Sequence, residues 1–420
     1  MAPHPLPHRS SSNAGALAAA LVFPIGVLVC GVVTLAHSAE GLLRALAAVA
    51  RRAKVDEALV ALLTAGAEWE ELAIVIASLI QHRPALALGN ILGSALANIG
   101  IGFSLGLLCL PRSRLPRVFS HSARVYTRVQ FVLTLLVVGV LGAFLGVAPA
   151  VPQKWTHVLQ GQQQIIGGAL IAVFVAYVGI TARAIYRGAL DAPEDSDADS
   201  DSDSAGSDAD SDDDRSEHSF VPPGLAAAAS GSAVNPTTPL LARVRARPRV
   251  SIFSHIARLL FSLLLLCLSS FIVSRAVSQL GDLLRLGDTL AGLTLLSLAT
   301  TLPEALLGLV AGKLGRIDVL AAAAAGANIF LLGGCLGVVL VFPSPAYPSE
   351  SAGELAAMRG GHVSAGAVHA RDLLALLIAS GLLMAIVHTR ASRAFGAVLF
   401  ASYAAYLVCE VVVWSRGVAH

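Results

Sequence analysis

Residues 64–79 read TAGAEWEELAIVIASL, and residues 297–312 read SLATTLPEALLGLVAG. Both are apolar runs with carboxylates set inside them: Glu68, Glu70 and Glu71 in the first and Glu304 in the second. A carboxylate within a run long enough to cross a bilayer is costly, and where one is kept it marks an ion or proton path. A shift of 233 residues lays Glu71 on Glu304, Arg83 on Arg316, Gly93 on Gly326 and Gly100 on Gly333. Each copy therefore reads as a helix with a glutamate in midspan, a short hinge and a glycine-bearing helix. Breaks are expected at Gly66 and Pro303 and in the small-residue runs around Gly93 and Gly326.

Working outward, the chain is 55% hydrophobic and only 13% charged, with a mean hydropathy of +0.73. Soluble domains carry roughly 25% charged residues. About 20 apolar residues cross a bilayer as a helix. Ten such runs are present, five before the middle of the chain (roughly 15–37, 56–80, 84–110, 128–150 and 162–186) and five after it (roughly 251–279, 288–313, 317–342, 371–389 and 394–415). The expected fold class is an all-α membrane protein of ten transmembrane helices, because every span must satisfy its own backbone hydrogen bonds. The alternating pattern of a membrane β-barrel is absent. The run from Gly15 to Ala36 is too long for a signal-peptide core and reads as the first span.

Five spans per half put the second half upside down relative to the first, so residues 1–187 and 251–420 read as two inverted five-helix repeats. With the amino terminus outside or in a lumen, most of the 29 Lys and Arg residues fall on the inward loops, which places both termini on the non-cytosolic side. Between the halves, residues 188–250 hold roughly half of the 27 Asp and Glu residues in a Ser/Asp tract, DAPEDSDADSDSDSAGSDADSDDD. Such a tract cannot bury apolar surface and is expected to be a disordered cytosolic loop. It is where regulators, low-affinity Ca²⁺ or phosphorylation would act. Its basic end, ARVRARPRV, suits anionic headgroups.

The net charge of +2 gives no reason to expect nucleic acid as a partner; the lipid bilayer is the expected one. The cysteines, Cys30, Cys109, Cys267, Cys335 and Cys409, each stand alone in apolar runs without metal-ligand spacing. No Walker motif is present, so neither ATP nor any cofactor is expected. Glu410, in the tenth run, is expected to hydrogen-bond a neighbouring helix, Glu70 to reach a water or lipid interface, and Trp69 and Trp414 to pack or anchor.

Two motifs carry a resemblance. GAEWEEL (66–72) is followed by GNILGSALAN (89–98), and ATTLPEA (299–305) by GANIFL (326–331). In register with the paired glutamates, these resemble the α-repeats of the cation/Ca²⁺ antiporter superfamily, the sodium/calcium exchangers, as a divergent member. The resemblance implies a secondary active antiporter that exports Ca²⁺ from the cytosol against Na⁺ or H⁺ by alternating access, in an endomembrane or the plasma membrane, and it implies no enzyme activity. It implies a cation site in which Glu71 and Glu304 are the central carboxylates, Ser94 and Asn98 add oxygens from the third span, and Thr300 and Thr301 add them from the seventh. These are the hard oxygen donors that Ca²⁺ prefers.

Some positions depart from the family pattern. Ala67 and Glu68 stand where it has Thr-Ser, Glu70 where it has Pro, Ala327 where it has Ser, and Leu331 where it has Asn or Asp. Glu68, three residues before Glu71, would share its helix face and supply the charge that Leu331 lacks, giving three carboxylates at the site. Two other readings stand beside this one: a non-transporting homologue serving as membrane scaffold or sensor, and an intramembrane enzyme holding a metal on Glu68 and Glu71.

Overall fold

The structure is a computed structural model that describes residues 10–52, 68–111, 117–144, 162–187, 252–342 and 368–418. The acidic segment 188–250, Gly66 and most of the first half of the second expected span lie outside the described residues. Within them the backbone is helical, with one bridge between Arg117 and Ala391 and no strand.

The helices are α1 (Ser10–Arg52), α2 (Trp69–Ile80), α3 (Pro84–Leu108), α4 (His121–Phe144), α5 (Gln163–Tyr186), α6 (Ile252–Leu284), α7 (Asp288–Thr300), α8 (Leu302–Leu314), α9 (Ile317–Val341), α10 (Ala370–His388) and α11 (Arg393–Val418). Eight contain a stretch long and apolar enough to cross a membrane, and α7 with α8 makes a ninth, bent by 47° at Thr301. The break falls where it was expected: Pro303 lacks the N–H that would continue the ladder, so it sits in the first turn of a new helix. Of the second expected span, α2 alone is described.

The expected breaks at Gly93 and Gly326 do not occur, since α3 and α9 run straight through both positions. The irregularity comes one turn later. The backbone widens to a π-helix at Asn98–Phe103 in α3 and at Phe330–Cys335 in α9. Such bulges inside helices collect at functional sites. The glycines serve close approach instead. A Cβ on Gly89 would stand 2.2 Å from the Thr289 carbonyl oxygen, on Gly93 2.5 Å from that of Leu293, on Gly308 2.2 Å from that of Gly102, and on Gly312 2.2 Å from that of Gly106. So α3 lies backbone against backbone along α7 and α8, which only residues without side chains allow.

The 233-residue offset recurs in the element boundaries. α2 begins at Trp69 and α8 at Leu302; α3 begins at Pro84 and α9 at Ile317. Even the hinges match: Gly315 is left-handed with φ 72°, and the residue at its offset, His82, is left-handed with φ 57°. Glycine takes that conformation at no cost, whereas a side chain pays a penalty of about 1 kcal/mol for it.

The centre of the bundle is α3 and α9, 83% and 78% buried against 17% to 22% for α1, α5, α6 and α11. The outer helices carry exposed Val22, Phe23, Ile165, Val175, Phe261, Leu264 and Val408, a face suited to lipid acyl chains. α1 packs along α6, α4 contacts α9 and α10, α5 lies on the carboxyl half of α9, and α11 on that of α3. α4 starts seven residues earlier than the expected fourth span. Its polar first turns are helical because they face protein: Thr127, Gln130 and Thr134 are buried, and Gln130 Nε2 donates to Ser380 Oγ of α10 at 2.8 Å.

Both ends of the bundle are tied. Arg83, in the hinge before α3, donates to Asp282 at 3.0 Å and to Asp288 at 3.0 Å, and the hydrogen bond to Asp282 leads the effects that hold its guanidinium above its ordinary pKa. Elsewhere Arg117 donates to the Gly315 carbonyl, Arg393 to that of Leu110 at 2.7 Å, and the Ser120 amide to Asp318 at 2.6 Å.

Candidate cation site

The site starts from two helix beginnings. Glu71 is the third residue of α2 and Glu304 the third of α8, so both carboxyls stand in a first turn, where free N–H groups and the helix dipole favour negative charge. The residues just before these helices, Glu68 and Thr301, are likewise offset partners. Glu68 is not helical (φ −74°, ψ 79°), which corrects the expectation that it shares a helix face with Glu71. Its carbonyl instead accepts the first bonds of α2, from Glu71 N at 3.1 Å and Leu72 N at 3.2 Å. The carboxyl still turns inward: Glu68 is 9% exposed and Glu71 2%.

The carboxylates are held from α3. Ser94 Oγ donates to Glu71 Oε1 at 2.8 Å, and Asn90 Nδ2 donates to Glu71 Oε2. Asn98 Nδ2 reaches Glu68 Oε1 at 3.2 Å and Asn328 Oδ1 at 3.3 Å; Asn328 in turn donates to the Ala95 carbonyl at 3.0 Å. From the second half, Thr300 Oγ1 lies 3.5 Å from Ser94 Oγ while donating to Leu296 O at 3.1 Å, and Thr301 Oγ1 donates to Ser297 O at 2.6 Å. Both threonines are buried and keep lone pairs that could face a cation.

Glu304 is different. Its Oε2 is buried and has no hydrogen-bond partner. Glu70, half-buried, lies within electrostatic reach of it, as does Glu71. The carboxyls do not close into a chelate: among the described residues, no three His, Cys, Asp or Glu side chains are gathered so as to hold a metal. Their partners are amides and hydroxyls. Ion pairs of the described residues lie elsewhere, among them Arg44–Glu40, Arg83–Asp282 and Arg371–Glu410.

Two residues here, Asn90 and Asn328, were not among the expected site residues. The signal for Asn90 is in the sequence. Asn90, Ser94 and Asn98 recur every four residues in an otherwise apolar helix, so they share one face. Asn328 gives no such signal, since its offset partner is Ala95. Leu331 is fully buried in an apolar cluster with Leu96 and Ile91. Trp69 packs edge-on against Phe330 at 6.4 Å. Glu410 finds the neighbour expected of it, Arg371 of α10, at 2.6 and 2.9 Å.

Residues 23–183 and 254–412 match the sequence pattern of a family described as "Sodium/calcium exchanger protein". The chain belongs to the sodium/calcium exchanger family. It is therefore an integral, multi-pass membrane protein of a family of transporters, not an enzyme. No curated protein matches this exchanger-family chain. Among solved structures it is similar to the sodium-calcium exchanger NCX_Mj soaked with 10 mM Na⁺ and 10 mM Sr²⁺, at 17% identity and a TM-score of 0.50, covering 92% of this chain and 98% of that one. The same exchanger soaked with 2.5 mM Na⁺ and 10 mM Sr²⁺ gives 16% identity and a TM-score of 0.49, covering 92% and 99%. At 17% identity the first of these likenesses is one of fold.

Proposed function

We propose that this exchanger-family protein is a secondary active antiporter that carries Ca²⁺ out of the cytosol against Na⁺ or H⁺. One observation carries the reading: Ser94 of the first half and Thr300 of the second meet at 3.5 Å beside the buried Glu71 carboxylate, with no Lys or Arg paired to it among the described residues. A buried carboxylate with only hydroxyl and amide partners is short of positive charge, and a cation supplies it. In this reading the ligands are Glu71, Glu304, Glu68, Ser94, Asn98, Thr300 and Thr301. Two inverted repeats of five spans, 1–187 and 251–420, frame them, and their shared helix starts support that arrangement. Alternating access then exposes one site to each side in turn.

The test is ⁴⁵Ca²⁺ flux in proteoliposomes under imposed Na⁺ and H⁺ gradients. Glu71→Gln and Glu304→Gln should each abolish flux while the protein still inserts; retained flux in both removes the reading. The reading also places the 188–250 loop in the cytosol. Protease added to sealed, cytosol-side-out vesicles should cleave there, and full protection contradicts the orientation. The departures at Ala327 and Leu331 keep the non-transporting scaffold in view, and the same flux measurement decides it.

A further inference from the structure

The two halves of the site are built unequally. On α3, one face presents Asn90, Ser94 and Asn98, and these supply the hydrogen bonds to Glu71 and Glu68. The offset positions on α9 are Ala323, Ala327 and Leu331, with no polar side-chain atom among them. The consequence is visible at the carboxyls: Glu71 has both oxygens engaged, whereas Glu304 Oε2 is buried and unpartnered. Asn90 adds a second feature. It is fully buried, its Nδ2 is spent on Glu71, and its Oδ1 has no partner. A buried carbonyl-type oxygen without a donor is costly to leave so, and it calls for a ligand.

We propose that the cation seat is one-sided, with Asn90 as an additional ligand: the ion sits against α3 on oxygens of Asn90, Ser94, Asn98, Glu71 and Glu68, and the second half contributes Glu304, Thr300 and Thr301 with no matching polar face on α9. This rests on the antiporter reading and deepens it. The chemistry follows from what each group can do. A carboxylate only accepts hydrogen bonds, so without an ion the Asn90 amide turns its N–H to Glu71. When a divalent cation takes that place, the same carboxamide presents Oδ1 by rotating about its soft terminal torsion, and the Ser94 hydroxyl turns its lone pair inward in the same way. The donors that hold Glu71 without an ion are thus groups that become ligands with one. Lys, Arg or a backbone N–H could not make that exchange.

The sign of the effect of removing Asn90 separates this from a structural role. If Asn90 only donates to Glu71, deleting it removes a competitor of the cation and affinity rises or stays. If its oxygen is a ligand, affinity falls. The experiment uses the purified full-length protein in detergent, with apparent Ca²⁺ affinity read from Ca²⁺-dependent thermal stabilisation, since a ligand of the folded state raises its stability with concentration. Asn90→Ala and Asn90→Leu should each weaken Ca²⁺ at least tenfold, and Tb³⁺ luminescence lifetimes in H₂O and D₂O should show one more coordinated water than in the wild type. Either variant that stays monodisperse decides the matter. Unchanged or tighter Ca²⁺ binding, or an unchanged water count, overturns the proposal. Glu71→Gln in the same assay keeps the two readings apart: if it binds Ca²⁺ like the wild type, the antiporter site itself is wrong, whereas failure of the Asn90 arm alone leaves that site standing.

Discussion

Replacing Gly308 by alanine tests whether close contact between α3 and α8 sets the site. The new Cβ would stand 2.2 Å from the Gly102 carbonyl oxygen, and ordinary contact begins at 3.4 Å. The helices must therefore part by about 1.2 Å at that point, because packed interiors leave no slack. Overpacking of this kind costs about 1–3 kcal/mol, against which the better helix propensity of alanine returns at most about 1 kcal/mol. The clash wins, and Glu304, one turn earlier on α8, moves away from Glu71 with it. Gly102 on the facing helix is the control. A Cβ there meets the Glu304 carbonyl oxygen at 3.6 Å, an ordinary contact, so Gly102→Ala should be neutral or slightly stabilising. The assays are thermal unfolding of the purified protein and Ca²⁺ flux in proteoliposomes. Gly308→Ala should unfold at lower temperature and lose flux tenfold or more, while Gly102→Ala keeps flux within about twofold of the wild type. Equal behaviour of the two variants, damaging or harmless, would refute the reasoning.

Glu68→Ser should cripple transport, and adding Leu331→Asp should restore part of it, because each change moves one carboxylate of a buried set whose unpaired cost is about 2.5–3.5 kcal/mol; normal flux in Glu68→Ser would mean that the buried Glu68 carboxyl is not a ligand. Arg371→Leu leaves Glu410, 4% exposed, without its bidentate partner, and should cost about 2–4 kcal/mol in thermal or denaturant unfolding, the lower end reflecting that Arg371 is one-third exposed. Arg371→Leu with Glu410→Leu should recover most of that loss, and a double variant no more stable than the single one would mean that the ion pair is not the cause.

Much of the architecture is legible in one dimension. The apolar runs give most of the spans, because a helix in lipid needs only length and hydrophobicity to be recognised. The 233-residue offset gives the pairing of Glu71 with Glu304, and the proline at 303 gives the break at Thr301. Those features are local, or periodic along the chain. The sequence does not give the helix start at Trp69, which takes Glu68 out of the helix. It does not give the fate of Gly93 and Gly326 either: a glycine can break a helix or let another helix in, and its surroundings choose.

The partners in the site belong to the tertiary structure alone. Asn98 bonds to Glu68 and Asn328, and Glu304 keeps a bare oxygen, because α3 lies backbone against backbone on α7 and α8 while α9 offers Ala323, Ala327 and Leu331. A side chain finds its partner only after the distance between two helices is fixed. That distance is set by glycines on one helix meeting carbonyls on another some 200 residues away, which no local pattern encodes.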